Sequence, residues 1–100
     1  MEYLKDLGFG EFDINDIKKS NDVNIIENLE LNKNNIIEIT RYLLEIGLSL
    51  STIKDIFIEQ VNLFFKTLNE IKTSFDEYEL DTIVKSLNFD ANNVELIDFI

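Results

Sequence analysis

The sequence predicts an all-α fold, a bundle of five or six helices packed orthogonally or antiparallel around one long central helix. Apolar residues recur at helical rather than strand spacing along nearly the whole chain, and no proline interrupts them. The glycines are few, and two of them, Gly8 and Gly47, follow directly on an apolar periodic stretch, where a helix has to stop. One hundred residues suit a single helical domain over 1–100. A chain of this mass should present roughly 5,900 Å² when folded against about 17,000 Å² unfolded, which is enough burial for a core without disulfides or a metal.

A short helix is expected around Tyr3–Leu7, stopping at Gly8, with Asp13 as a cap for the next one, which carries Ile14 and Ile17. Residues Val23 to Leu31 read as a helix through Ile25, Ile26 and Leu29. Val23/Ile25 and Leu29/Leu31 also alternate as a strand would, but a lone strand would have nothing to pair with. From Ile36 to Ile46 the stripe Ile36, Ile39, Leu43 and Ile46 predicts a helix. Asn35 and Glu38 are spaced as a capping box at its start, and Gly47 supplies a left-handed stop. The central helix is expected over about Thr52–Thr73, capped by Ser49 or Ser51, with Ile53, Ile56, Phe57, Val61, Leu63, Phe64, Leu68 and Ile71 on one face. Another follows Ser74 or Asp76, each with Glu three residues on, and points Leu80, Ile83, Val84 and Leu87 inward until Asn88 takes a left-handed stop. Asp90 then caps a final helix carrying Val94, Ile97 and Ile100.

Part of this pattern recurs. Leu4-x-x-Leu7-Gly8-Phe9 followed by Ile14-x-x-Ile17 aligns with Leu43-x-x-Ile46-Gly47-Leu48 followed by Ile53-x-x-Ile56, 39 residues later. Val84-x-x-Leu87-Asn88-Phe89 with Val94-x-x-Ile97 forms a third copy at a further 41. Each reads as a helix end, a left-handed residue, an apolar plug and a new capped helix, as two or three stacked helical hairpins would give. Any antiparallel bundle uses such corners as well.

The Gly47-Leu48-Ser49 corner followed by Ile53-x-x-Ile56 resembles the repeat of mitochondrial transcription termination factors. That family's proline and basic nucleic-acid-binding face have no counterpart here. Ile46 to Ile56 ahead of a long helix is similar to the region after the winged helix in MerR-type regulators, although no recognition helix or basic wing precedes it in residues 1–34. No residue roles are carried over from either likeness.

Charge and composition bound the function. Twenty Asp and Glu against nine Lys and Arg leave a net charge of −11. Phosphate binding needs clustered cations, because its affinity comes from counterion release. The one adjacent basic pair, Lys18-Lys19, is explained by the C-terminal end of a short helix. Direct nucleic-acid binding and anionic membranes are therefore disfavoured, and a protein partner with a basic surface is favoured. The bland reading is an acidic surface that only keeps the protein soluble.

With no His and no Cys, the chain lacks a His general base, thiolate chemistry and the commonest zinc ligands. No phosphate-cradling glycine loop is present. Asp13-x-Asn15 and Asp90-x-Asn92 begin as calcium loops do but lack the glycine and the closing acid, so capping explains them. No enzyme activity, cofactor or metal is expected. The start carries no basic, apolar leader and no run approaches a membrane span, which leaves a cytoplasmic location as the default. The Ile-, Asn- and Lys-rich, Ala-poor composition fits AT-rich coding in a low-GC bacterium or its phages.

Two partner-binding candidates stand out. Asp76, Glu77, Tyr78, Glu79 and Asp81 would set an aromatic anchor among acids. The competing explanation is acids favoured by the dipole at a helix start. Ile58 and Phe65, seven apart on the central helix and off its main face, would form an apolar seam unless that helix is buried all round. The expected function is a non-catalytic regulator or inhibitor occupying a basic site on a nucleic-acid-handling protein, as a phage-type nuclease inhibitor, antitoxin or immunity-type protein does. The alternatives are a helical-repeat nucleic-acid-binding module and a structural or dimerisation module of a longer protein.

Overall fold

Caps and glycine stops divide the chain into short helices. The computed structural model describes residues 1–99, and among them no strand occurs. The elements are a 3-10 segment at Glu2–Leu7, α1 (Glu11–Ser20), α2 (Val23–Leu31), α3 (Lys33–Ile46), α4 (Leu50–Glu59), a 3-10 segment at Val61–Phe65, α5 (Leu68–Phe75), α6 (Leu80–Phe89) and a 3-10 segment at Ala91–Leu96. Ile100, expected on the inner face of the last helix, lies outside the described residues.

The two glycine corners form as expected. Gly8 has φ 107° and Gly47 φ 115°, a region that costs an L-residue steric strain. At the first corner Phe9 N–H donates to the Leu4 carbonyl at 3.2 Å and Gly8 N–H to that of Lys5 at 3.1 Å. At the second, Leu48 N–H donates to Leu43 at 3.0 Å and Gly47 N–H to Leu44 at 3.2 Å. This is the Schellman pattern, which satisfies carbonyls that the helix end would otherwise orphan. Phe9 and Leu48 are buried behind their corners, and a ten-residue helix leaves each one. The 3-10 segment Glu2–Leu7 packs on α3 and α1 packs on α4, so corresponding elements of the two corners lie against each other.

The third corner differs. Among the described residues no non-glycine has positive φ, and Asn88 continues α6 to Phe89, whose side chain is 89% exposed and plugs nothing. Asn88 instead clamps the second corner from outside. Its Oδ1 accepts from Ser49 N–H at 3.1 Å and from the Thr52 hydroxyl at 2.7 Å, while its Nδ2 donates to the Gly47 carbonyl at 3.1 Å.

The long central helix is also not continuous. It resolves into α4, the 3-10 segment Val61–Phe65 and α5, parted first at Gln60 (φ −136°). The break lets the Phe57 and Phe64 rings stack in parallel with centroids 3.7 Å apart. In an unbroken helix, residues seven apart would be separated by about 10 Å along the axis. Asn35 Nδ2 donates to the Lys66 carbonyl at 2.8 Å within the break, and the Thr67 hydroxyl caps α5 by accepting from Glu70 N–H.

Other boundaries shift for local reasons. Helix α3 begins at Lys33, so Asn35 lies inside it and does not cap it. Gly10 is the N-cap of α1, and Asp13, at the third position, accepts from Gly10 N–H at 3.0 Å. Ser49 caps α4 as expected, accepting from Thr52 N–H at 3.1 Å. Asp90 caps as expected too, accepting from Asn92 N–H, but the element it starts is the 3-10 segment Ala91–Leu96. Residues Val23–Leu31 are helical, started by Asp22.

The core gathers the inward residues of every element, with Leu4, Ile17, Ile36, Ile39, Leu43, Ile53, Ile56, Phe57, Phe64, Ile71 and Phe75 fully buried. The accessible surface of 5874 Å² matches what mass scaling expects of a compact chain. Asn21 joins α1 to α4 by donating from Nδ2 to the Ile17 and Phe57 carbonyls at 2.9 and 3.0 Å.

Candidate functional site: an acidic turn beside an apolar groove

Apolar spacing sets the end of α5. Leu68, Ile71 and Phe75 lie at i, i+3 and i+7, and with Ser74 buried beside Phe75 the helix runs on to Phe75. Asp76 is therefore the C-cap of α5, its N–H donating to the Lys72 carbonyl at 2.9 Å. Neither Ser74 nor Asp76 starts α6. That helix begins at Leu80 behind an extended Glu79, and Leu80 is 40% exposed instead of inward. The turn is tied by Glu77 N–H to the Ser74 carbonyl and Tyr78 N–H to that of Phe75, at 3.3 and 3.0 Å.

Asp76, Glu77, Tyr78, Glu79 and Asp81 thus stay together on this turn, all exposed. The structure narrows the dipole explanation for them. Glu79 and Asp81 sit at the start of α6, where negative charge is favourable. Asp76 and Glu77 sit at the C-terminal end of α5, where it is not. Among the described residues, the ion pairs lie elsewhere. Met1's amino group meets Glu30, Lys5 meets Glu2 and Glu11, and Lys54 bridges Asp13 and Asp16. None involves the four carboxylates of the turn. The paired groups respond as expected. Hydrogen bonds that it donates to Asp16 and Asp13 hold the Lys54 ammonium above its ordinary pKa, and the Gly10 N–H and Lys54 pull Asp13 below the usual carboxylate range. Asp76 acts on one neighbour: burial first, then Asp76 and Glu45, push the Tyr42 phenol up.

Tyr78 stands at one end of a groove that the sequence did not disclose. Thr82, Ser86 and Leu87 of α6, with Asn93, Leu96 and Ile97 of the chain that follows, line a mainly apolar cavity of about 110 Å³. Asn93 Nδ2 ties its walls by donating to the Ser86 carbonyl at 2.9 Å, and Asp98 N–H approaches the Tyr78 hydroxyl at 3.4 Å. Leu96 on the rim is 74% exposed. The available signal was Leu96, a large apolar residue outside the core stripes.

Ile58 and Phe65 do not form the expected seam. Ile58 is half-buried against the core on α4, and Phe65, 37% exposed, ends the 3-10 segment beyond the break at Gln60. Their seven-residue spacing no longer puts them on one helical face, and neither lines the groove. Among the described residues no three Asp or Glu come together to hold a metal ion, and no helix is long and apolar enough to cross a membrane. Compared with known protein families, curated proteins and solved structures, the chain matches none significantly.

Proposed function

We propose that this protein is a non-catalytic binding regulator or inhibitor. In this reading the acidic turn between α5 and α6 occupies a basic site on a nucleic-acid-handling protein, as a phage-type nuclease inhibitor, antitoxin or immunity-type protein would. One observation carries the reading: Asp76 and Glu77 stay exposed, in no ion pair among the described residues and at a helix end where negative charge is unfavourable. Groups kept where they do not help the fold are candidates for work outside it. Tyr78, next to Glu77 in the turn, supplies the amphipathic contact that interface anchors use.

A nucleic-acid-binding helical module fits less well. Lys5 and Lys54 are taken up by carboxylates, and Lys66 and Lys72 lie over the Phe99 and Tyr42 rings. The other cations, Lys18, Lys19, Lys33, Arg41 and Lys85, are divided among α1, α3 and α6. For the fold itself, we read residues 4–21 and 43–60 as two tandem corner units, supported by their matching hydrogen bonds and helix lengths.

The test is a pull-down from the source cell, followed by association kinetics over a salt series. Binding should weaken sharply as salt rises, since exposed charges are screened over ~8 Å at physiological ionic strength. Glu77→Lys with Asp81→Lys should slow association with the captured partner through like-charge repulsion while leaving the melting temperature nearly unchanged. Tight binding of a mixed-sequence oligonucleotide, with the protein complex indifferent to the double mutant, would sink the proposal.

A further inference from the structure

The groove beside the acidic turn narrows what the partner must present, and the inference rests on the function proposed above. On α6, Thr82, Ser86 and Phe89 follow one another at i, i+4 and i+7, so they form one row along the helix edge. Thr82 and Ser86 line the groove, and Phe89, 89% exposed, extends the row past it. Tyr78 closes the other end, and Leu96 and Ile97 form the opposite wall. Tyr78, Leu96 and Phe89 are large hydrophobics left in solvent, outside the contacts that build the core. From Thr82 to Phe89 the row is about 10 Å long at 1.5 Å per residue, about two helical turns, with Tyr78 just before the helix.

Carboxylates surround this strip. Asp76, Glu77, Glu79 and Asp81 lie at the Tyr78 end, Asp90 next to Phe89, and Asp98 beside Ile97, all exposed. Lys85, between Asp81 and Phe89 along α6, is the one cation in residues 76–99. An apolar strip in an acidic frame selects its occupant by charge. A second copy of this chain would bring its own net charge of −11, and an anionic membrane would be repelled likewise. We infer that the groove takes an amphipathic helix of the basic partner. Apolar side chains at i, i+4 and i+7 would lie in the strip from Tyr78 to Phe89, and flanking Lys or Arg would face the carboxylates. One of the apolar chains would enter the cavity between Ser86 and Leu96, the position of an interface anchor.

Synthetic peptides test this on the intact protein. The probe is a fluorescein-labelled helical peptide of about three to four turns with Leu at i, i+4 and i+7 and Lys elsewhere. One control has the same composition scrambled to destroy the stripe, and another replaces Lys by Glu. Fluorescence anisotropy should give affinity for the striped peptide about tenfold or more above the scrambled one, with the Glu peptide not binding. Leu96→Ser with Phe89→Ser should remove that tenfold preference, and because both side chains are exposed the melting temperature should hold. In a 15N-labelled sample, the amide shifts should move at Tyr78, Thr82, Ser86, Asn93 and Leu96. Equal binding of striped and scrambled peptides would overturn the groove while leaving the acidic surface intact. No binding of either cationic peptide at low salt would overturn both. A concentration-dependent dimer abolished by the Leu96 and Phe89 substitutions would make a second copy the occupant and overturn the inference.

Discussion

Asn88 shows how one side chain joins elements far apart in sequence. It lies 39 residues beyond Ser49, yet its amide holds the backbone of the second corner and the buried Thr52 hydroxyl. Asn88→Ala should cost about 1–2 kcal/mol, because it removes three hydrogen bonds to the corner, one of them from the part-buried Thr52 hydroxyl. Urea denaturation should show a lower midpoint at unchanged slope, and an unchanged midpoint would mean that the clamp is decorative. Tyr3 makes a comparable bond, its hydroxyl donating to the Leu29 carbonyl at 2.9 Å. Burial pushes its pKa from 10.0 to about 12. The folded state therefore holds the phenolic proton more tightly than the unfolded chain does. Its contribution is complete below about pH 10 and is lost as pH rises toward about 12. Tyr3→Phe should flatten that alkaline loss in thermal melts, and an identical alkaline profile would contradict the burial. Tyr42, shifted in the same direction, leaves a remainder.

At the scale of elements, the corners carry the most strain-sensitive positions. A Cβ on Gly47 would sit at φ 115° and 3.3 Å from Cγ1 of Val84. Gly47→Ala should therefore cost about 1 kcal/mol or more from the backbone alone. Calorimetry would register this as a lower melting temperature, and an alanine there that stabilised the protein would rule out the left-handed corner. The ends of α5 and α6 were harder to place from sequence. Thr67-Leu68-Asn69-Glu70 is a capping-box spacing and Thr67 does cap α5, but the apolar period runs unbroken across it from Ile53 to Ile71. A short 3-10 segment disturbs that period too little to announce a break.

The whole molecule carries −11 charges on 5874 Å² of surface. Its described ion pairs are anchored on Met1, Lys5 and Lys54, and most carboxylates lie outside them. Self-repulsion should then weaken the fold at low salt. The melting temperature should rise as NaCl goes from about 0.01 M to about 0.3 M, as the Debye length shortens from ~30 Å to below ~8 Å. A fall over that range would mean that attractive pairs dominate the surface. The same excess of carboxylates should steer a basic partner toward the molecule before any contact forms.

What the sequence by itself determined is local. The helical class follows from apolar spacing, and the corners at Gly8 and Gly47 from the one residue type that accepts positive φ freely. The caps at Ser49 and Asp90 follow from side chains that reach only two or three residues along their own backbone. Even the acidic turn was legible, since its members are adjacent in the chain. The tertiary structure decided what depends on distant partners. Stacking of Phe64 on Phe57 accompanies the break in the long apolar stretch, and three bonds to the second corner keep Asn88 inside α6. The docking of Ala91–Leu96 against α6 makes a groove that brings Thr82, Ser86, Asn93 and Leu96, which the sequence left unassigned, together with Tyr78 and the edge of the inner stripes. Capping and left-handed stops act within a turn or two of the chain, whereas packing selects among helix ends that local energies leave within about 1 kcal/mol of one another.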